Sequence, residues 1–145
     1  MSKKLGRPPN EHKIAHRKIE ILKIAAKFFS KYGYSNTKVD DIAAALEIGK
    51  GTIYRYFPTK EKLFLSTVDM GMKCLHKEIE ASIEDIEDPL EKISKAIGAY
   101  LAFFDHYPEF VELFIQERAH FKEHKPPTYF KHKDCLLYTS PSPRD

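Results

Sequence analysis

From about Lys13 onward the apolar positions recur with the period of a helix. Leu22, Ala25, Ala26 and Phe29 fall at i, i+3, i+4 and i+7, and Ile14, Ile21 and Phe28 repeat every seven residues beside them. Lys27 and Lys31 suit the last turns of such a helix, where cations complement its dipole, and Gly33 is placed to take the left-handed conformation that ends it near Tyr32. Thr37-x-x-Asp40 then has the spacing of a capping box in front of Val39, Ile42, Ala43 and Leu46, which predicts a short second helix with Thr37 as its cap. Glu47, Ile48 and Gly49 form a turn before a segment from Lys50 to Phe57, in which Ile53 and Phe57 share an inward face. Two short helices joined by so tight a turn describe a helix-turn-helix.

The helical pattern continues beyond Pro58 and Thr59. Phe64, Val68, Met72, Leu75, Ile79, Ile83 and Ile86 predict a long fourth helix that runs until Asp88 and Pro89 stop it. Asp88-Pro89-Leu90-Glu91 reads as a cap, a proline at the first helical position and an acid at the third. Leu90, Ile93, Ile97, Leu101 and Phe104 carry a fifth helix, and Phe110, Val111, Phe114 and Phe121 a sixth. Nothing alternates with the period of two that strands require, so the predicted fold class is all-α. The first three helices are too short to enclose a core alone, which predicts that they lean on the fourth through Ile53, Leu63 and Phe64.

Composition narrows the function. The chain of 145 residues is 42% hydrophobic, which excludes intrinsically disordered and collagen-like classes, and no apolar run approaches the ~20 residues that span a bilayer. Cys74 and Cys135 are far apart with no paired spacing, as expected in a reducing cytoplasm. The net charge of +3 conceals an asymmetry. Residues 1 to 63 hold 14 Lys and Arg against 6 Asp and Glu, whereas residues 64 to 145 hold 10 against 15. A basic helix-turn-helix joined to an acidic helical segment suggests a polyanion-binding module attached to a part with other partners. On the third helix, the arc opposite Ile53 and Phe57 carries Gly51, Thr52, Tyr54 and Arg55, with Lys50 at its start. Small residues at the centre of a basic, aromatic-flanked face let a helix approach a major groove closely.

The residues from Arg17 to Phe64 resemble the DNA-binding domain of the tetracycline-repressor (TetR/AcrR) family of bacterial transcription regulators. The resemblance rests on Ile21-Leu22, Ala25-Ala26, Phe28-Phe29, Gly33-Tyr34, Thr37, Val39, Ile42-Ala43 and the run from Lys50 to Leu63. It implies that Lys50, Gly51, Thr52 and Arg55 face bases and nearby phosphates, and that Tyr54 and Tyr56 contact the DNA backbone. It further implies a phosphate contact for Lys60 and a cap near the backbone for Thr37. By the same resemblance the partners are double-stranded DNA, read at a palindromic operator by a homodimer of the complete protein, and a small-molecule effector. No cofactor is implied. Two positions depart from the family pattern: Glu47 stands where glycine is usual in the turn, and Gly49 where a serine or threonine caps the recognition helix. If the turn needs no positive φ, Glu47→Gly would loosen the unfolded chain and so lower stability, while removal of a negative charge near phosphate would strengthen DNA binding.

Other features leave alternatives open. Lys3, Lys4 and Gly6-Arg7-Pro8 lie in a basic arm over residues 1 to 12, which either enters a minor groove or adds sequence-independent attraction. Phe103, Phe104, Phe110, Phe114 and Phe121 supply either the apolar lining of an effector pocket or plain core. His120-Phe121-Lys122-Glu123-His124 matches the H-x-x-E-H spacing of a zinc-dependent hydrolase, but without a third ligand or a catalytic scaffold it reads as a solvated helix face. The final ten residues, 136 to 145, drop the helical pattern and read as a non-native tail on a chain missing its dimerisation helices. The sequence thus predicts a DNA-binding domain over residues 13 to 60 and a partial helical regulatory domain over 61 to 130. The function it implies is a cytoplasmic, ligand-responsive repressor that is not an enzyme. A hydrolase and a non-specific architectural DNA binder are the alternatives.

Overall fold

The computed structural model describes residues 11–121, and six α-helices account for most of them. They are α1 (Glu11–Tyr32), α2 (Val39–Leu46), α3 (Lys50–Tyr56), α4 (Lys60–Ile83), α5 (Pro89–His106) and α6 (Glu109–His120). No strand occurs among the described residues, as the periodicity predicts. Glu11 and His12, assigned to the arm by sequence, already belong to α1, and Ile86 lies beyond the end of α4. Residues 1 to 10 of the arm and the tail from 136 lie outside the described residues.

The anticipated apolar face of α1 is the one that is buried: Ile21, Leu22, Ala25, Ala26 and Phe29 all face inward. Gly33 ends the helix at φ 87°, and its N–H donates to Phe29 O at 2.9 Å. Val39, Ile42 and Ala43 from α2 and Ile53 from α3 close over this face. Ile53, Leu63 and Phe64 are each fully buried, so the three-helix unit does lean on α4. Each side chain of this size contributes ~1.5–3 kcal/mol on burial, which a unit this small cannot obtain from its own helices.

The capping prediction for α2 is corrected. The residue preceding α2 is Lys38, in extended conformation, and no side chain caps the helix. Thr37 is buried, and its hydroxyl donates back to the end of α1, 2.7 Å from Gly33 O and 3.1 Å from Phe28 O. Gly33 O lies just past the last turn of α1, where intrahelical donors have run out, so it captures the hydroxyl first. The turn after α2 is equally specific. Glu47 is left-handed at φ 57°, its N–H donates to Ala44 O at 3.1 Å, and Ile48 N–H donates to Ala43 O at 3.0 Å. These are the two bonds of a Schellman motif, a site that favours glycine. The premise that this turn needs no positive φ therefore fails.

Two aromatic clusters join the remaining helices. In the first, Phe64 meets Phe29 edge-on at 5.1 Å, Tyr34 at 5.2 Å and Phe121 at 5.6 Å, tying α1, α4 and the end of α6 together. The second runs through Phe103, Phe104, Tyr107, Phe110 and Phe114 between α5 and α6. Between the clusters, buried Gln116 of α6 donates to Phe29 O of α1 at 2.9 Å. Gly71 of α4 seats the Phe110 ring so closely that a Cβ there would overlap it. At α5, Asp88 caps the helix by accepting from Glu91 N–H at 2.9 Å, with Pro89 in the first turn, as the sequence predicts. The apolar stripe of α5 is not buried, however: Leu90 is 76% exposed and Leu101 61%.

Candidate nucleic-acid interface

The recognition surface is built by the geometry of α3. Ile53 and Phe57 anchor the helix inward, which turns Lys50, Gly51, Tyr54 and Arg55 to solvent and leaves Thr52 and Tyr56 half-buried. Gly49 precedes α3 in extended conformation and offers no side-chain cap, in line with its missing hydroxyl. A Cβ added at Gly51 would meet nothing within 4 Å. The protein interior has no need of glycine at that position, where it costs about 0.5–1 kcal/mol relative to alanine.

Charge around the helix is partly engaged. Lys50 Nζ lies 3.1 Å from Asp40 of α2, with both side chains exposed. The Asp40 hydrogen bond, and then its charge, raise the Lys50 pKa above the ordinary value. Phosphate would have to compete with that carboxylate. Arg55, exposed, lies over the Tyr56 ring, 5.9 Å from its centroid, a cation–π contact that steadies the guanidinium. Lys60, at the start of α4, donates to Ser35 O at 3.3 Å and sits 4.7 Å from the Tyr34 ring centroid. Partial burial lowers its pKa. Lys60 thus pins the loop after α1 to α4, whatever else it contacts. Thr37 is the residue least suited to its predicted role, because its hydroxyl is buried and spent on α1.

One contribution was not singled out by sequence. Lys13, His16 and Arg17, on the first turns of α1, line a broad groove whose far wall includes Tyr56 of α3. The signal available was Lys13 and Arg17 at i, i+4, which places two cations on one helical face.

The five phenylalanines assigned to a pocket divide between two places. Phe103 and Phe110 line a cleft against α1 and α4, Phe104 and Phe114 meet edge-on at 5.9 Å, and Phe121 belongs to the separate cluster with Tyr34 and Phe64. Of the H-x-x-E-H pattern, His120 ends α6 with its ring 5.5 Å from that of Tyr34, and Glu123 and His124 lie outside the described residues. No group of His, Cys, Asp or Glu among the described residues could hold a metal ion. No described helix is long and apolar enough to cross a membrane.

A short helix, a tight turn and an outward-facing helix resting on a long fourth helix define a helix-turn-helix DNA-binding unit joined to further helices. Comparison with known proteins gives the same class. The profile described as "Bacterial regulatory proteins, tetR family" matches residues 21–67. The HTH-type transcriptional regulator HbdR of Aromatoleum sp. is 32% identical over 92 residues, covering 63% of this chain and 40% of that protein. The HTH-type transcriptional repressor NicS of Pseudomonas putida is 31% identical over 101 residues, covering 69% and 47%. Among solved structures, the TetR family transcriptional regulator PfmR from Thermus thermophilus superposes with a TM-score of 0.65 at 27% identity, over 81% of this chain and 62% of that one. Residues 21–67 therefore carry a DNA-binding domain of the TetR-family type. The chain spans less than half the length of either curated relative named here. The relatives are regulators, and the hydrolase alternative finds no support among them.

Proposed function

We propose that this chain is the DNA-reading part of a cytoplasmic, ligand-responsive transcriptional repressor that binds a palindromic operator as a homodimer. The observation that carries the reading is the outward face of α3. Its glycine has open space above it, Arg55 and Tyr54 flank it, and the inward anchors Ile53 and Phe57 fix its orientation. A backbone that approaches a major groove closely explains Gly51 where the interior does not. In this reading Arg55 contacts base edges, and Thr52 and Gly51 allow the approach. Lys50, Tyr54, Tyr56 and Lys60 contact phosphates and hold the register, with Lys13 and Arg17 extending the same footprint. Thr37 acts from behind by fixing the entry to α2. The effector acts through the helices beyond α3, where Phe103, Phe104, Phe110 and Phe114 form the aromatic wall and α4 links that wall to the DNA-binding unit.

The test is selection of bound duplexes from a randomised pool. The proposal predicts enrichment of a dyad-symmetric site whose half-sites lie about one helical turn, or a multiple, apart. Arg55→Ala should cost ~1–3 kcal/mol on that site and relax its sequence preference. Enrichment of no sequence would point instead to an architectural binder.

A further inference from the structure

We infer that the cleft between α1 and the α4–α6 helices is a ligand site for a small organic anion: one carboxylate or similar group carried on an apolar body. The inference rests on the proposal that ligand binding controls the DNA-binding unit, and it names where and what the ligand is. The cleft has a volume of about 490 Å³, within the range of small-molecule sites. Its floor is apolar and rigid: Ala26, Phe103 and Phe110 are all buried, and the Phe103 and Phe110 rings stack at 5.9 Å. Its mouth is cationic. Lys23 and Lys27 sit one turn apart on α1, both exposed and without an ion pair among the described residues, and exposed His106 adds a further nitrogen. Glu109 is the one carboxylate on the wall, against two lysines. An apolar floor under unpaired cations binds a molecule that is apolar at one end and anionic at the other.

The position gives such a ligand leverage. Lys23, Ala26 and Lys27 belong to the first helix of the DNA-binding unit, whereas Met70 and Cys74 are on α4 and Phe103 through Phe110 span the turn from α5 to α6. A molecule in the cleft therefore touches both sides of the joint at once. Phe110 is the shared element, because the ring that floors the cleft also fills the notch at Gly71 of α4. Any shift of that ring on binding is felt by α4 directly, since packed interiors do not absorb such shifts.

Cys74, exposed on the rim, reports occupancy, and free glutathione in the same solution serves as the reference thiol. The experiment uses the full chain without DNA and three probes sharing one apolar body: 4-phenylbutyrate, 4-phenylbutanol and 4-phenylbutylamine. The rates of iodoacetamide alkylation at Cys74 and of glutathione are read by mass spectrometry as probe concentration rises. Phenylbutyrate should protect Cys74 and not glutathione, with about tenfold greater apparent affinity than the alcohol, and the amine should protect least. Lys23→Gln/Lys27→Gln, which alters only exposed side chains, should bring the carboxylate down to the level of the alcohol. Absence of protection, equal protection by all three probes, equal slowing of Cys74 and glutathione, or full protection in the double variant would each overturn the site. Because DNA takes no part, these outcomes leave the DNA-binding proposal standing.

Discussion

Replacing Glu47 with glycine should raise stability and DNA affinity together. Glu47 holds φ 57° in the turn that leads into α3, a conformation that costs a residue with a side chain roughly 1–2 kcal/mol. Glycine removes that strain but adds about 0.5–1 kcal/mol of unfolded-state entropy. The difference favours Glu47→Gly by about 0.5–1 kcal/mol, or roughly 2–3 °C in Tm for a chain of this size. Glu47 is exposed, so losing its carboxylate should also tighten DNA binding, most strongly at low salt and less as screening grows. Glu47→Ala separates the two effects, since it removes the charge and keeps the strain. It should bind DNA as tightly as the glycine variant and melt no higher than the parent. Thermal melts and DNA titrations across a salt series on the same preparations provide the check. A glycine variant that melts below the parent, or an alanine variant that gains as much stability, would refute the strain argument.

Other perturbations probe the joint and the turn. Gly71→Ala should destabilise by about 1–3 kcal/mol, partly offset by alanine's better helix propensity, because its Cβ meets the Phe110 ring; a melt at or above the parent's would show that the ring moves freely. Thr37→Val should lower stability by about 1 kcal/mol through loss of the hydrogen bond to α1 and leave the salt slope of DNA binding unchanged, whereas a slope smaller by about 1 would restore a phosphate contact to this residue. Burial, and then the charge of Glu61, raise the Tyr34 pKa above its ordinary 10.0, so the unfolded chain ionises first and stability should fall as pH rises past that value. Tyr34→Phe should flatten this alkaline loss relative to the parent, and an unchanged slope in denaturant titrations would contradict it.

Much of this architecture was legible because burial follows helical spacing. Ile21, Ala25 and Phe29, then Ile42, Ile53 and Leu63, lie on the inward faces that the pattern marks. Hydrogen-bond ends were harder to read. Thr37 has the right spacing to Asp40 for a cap, but spacing does not reveal that the end of α1 lies within 2.7 Å of its hydroxyl. Glu47 carries no mark of a left-handed site, since its conformation comes from the Schellman bonds around it and not from its side chain. The aromatic positions were legible as faces, but not as partners. Periodicity placed Phe110 and Phe121 on one helix, and only packing sends the first to Gly71 and the second to Tyr34 and Phe64. In the interface, Arg55 and Gly51 stand exposed as read, while the engagement of Lys50 with Asp40 and of Lys60 with Ser35 depends on neighbouring elements that one helix pattern does not specify.

The central claim is that α3 reads a DNA sequence, and a competition assay tests it most directly. The chain is bound to the duplex enriched by selection, at one fixed salt concentration, and displaced with either the same unlabelled duplex or random-sequence DNA of equal length. If α3 reads bases, the selected site should compete better by a factor of ~10³ or more. Arg55→Ala should sharply narrow that ratio while leaving the affinity for random DNA little changed. A ratio near one for the parent chain would contradict sequence reading by α3.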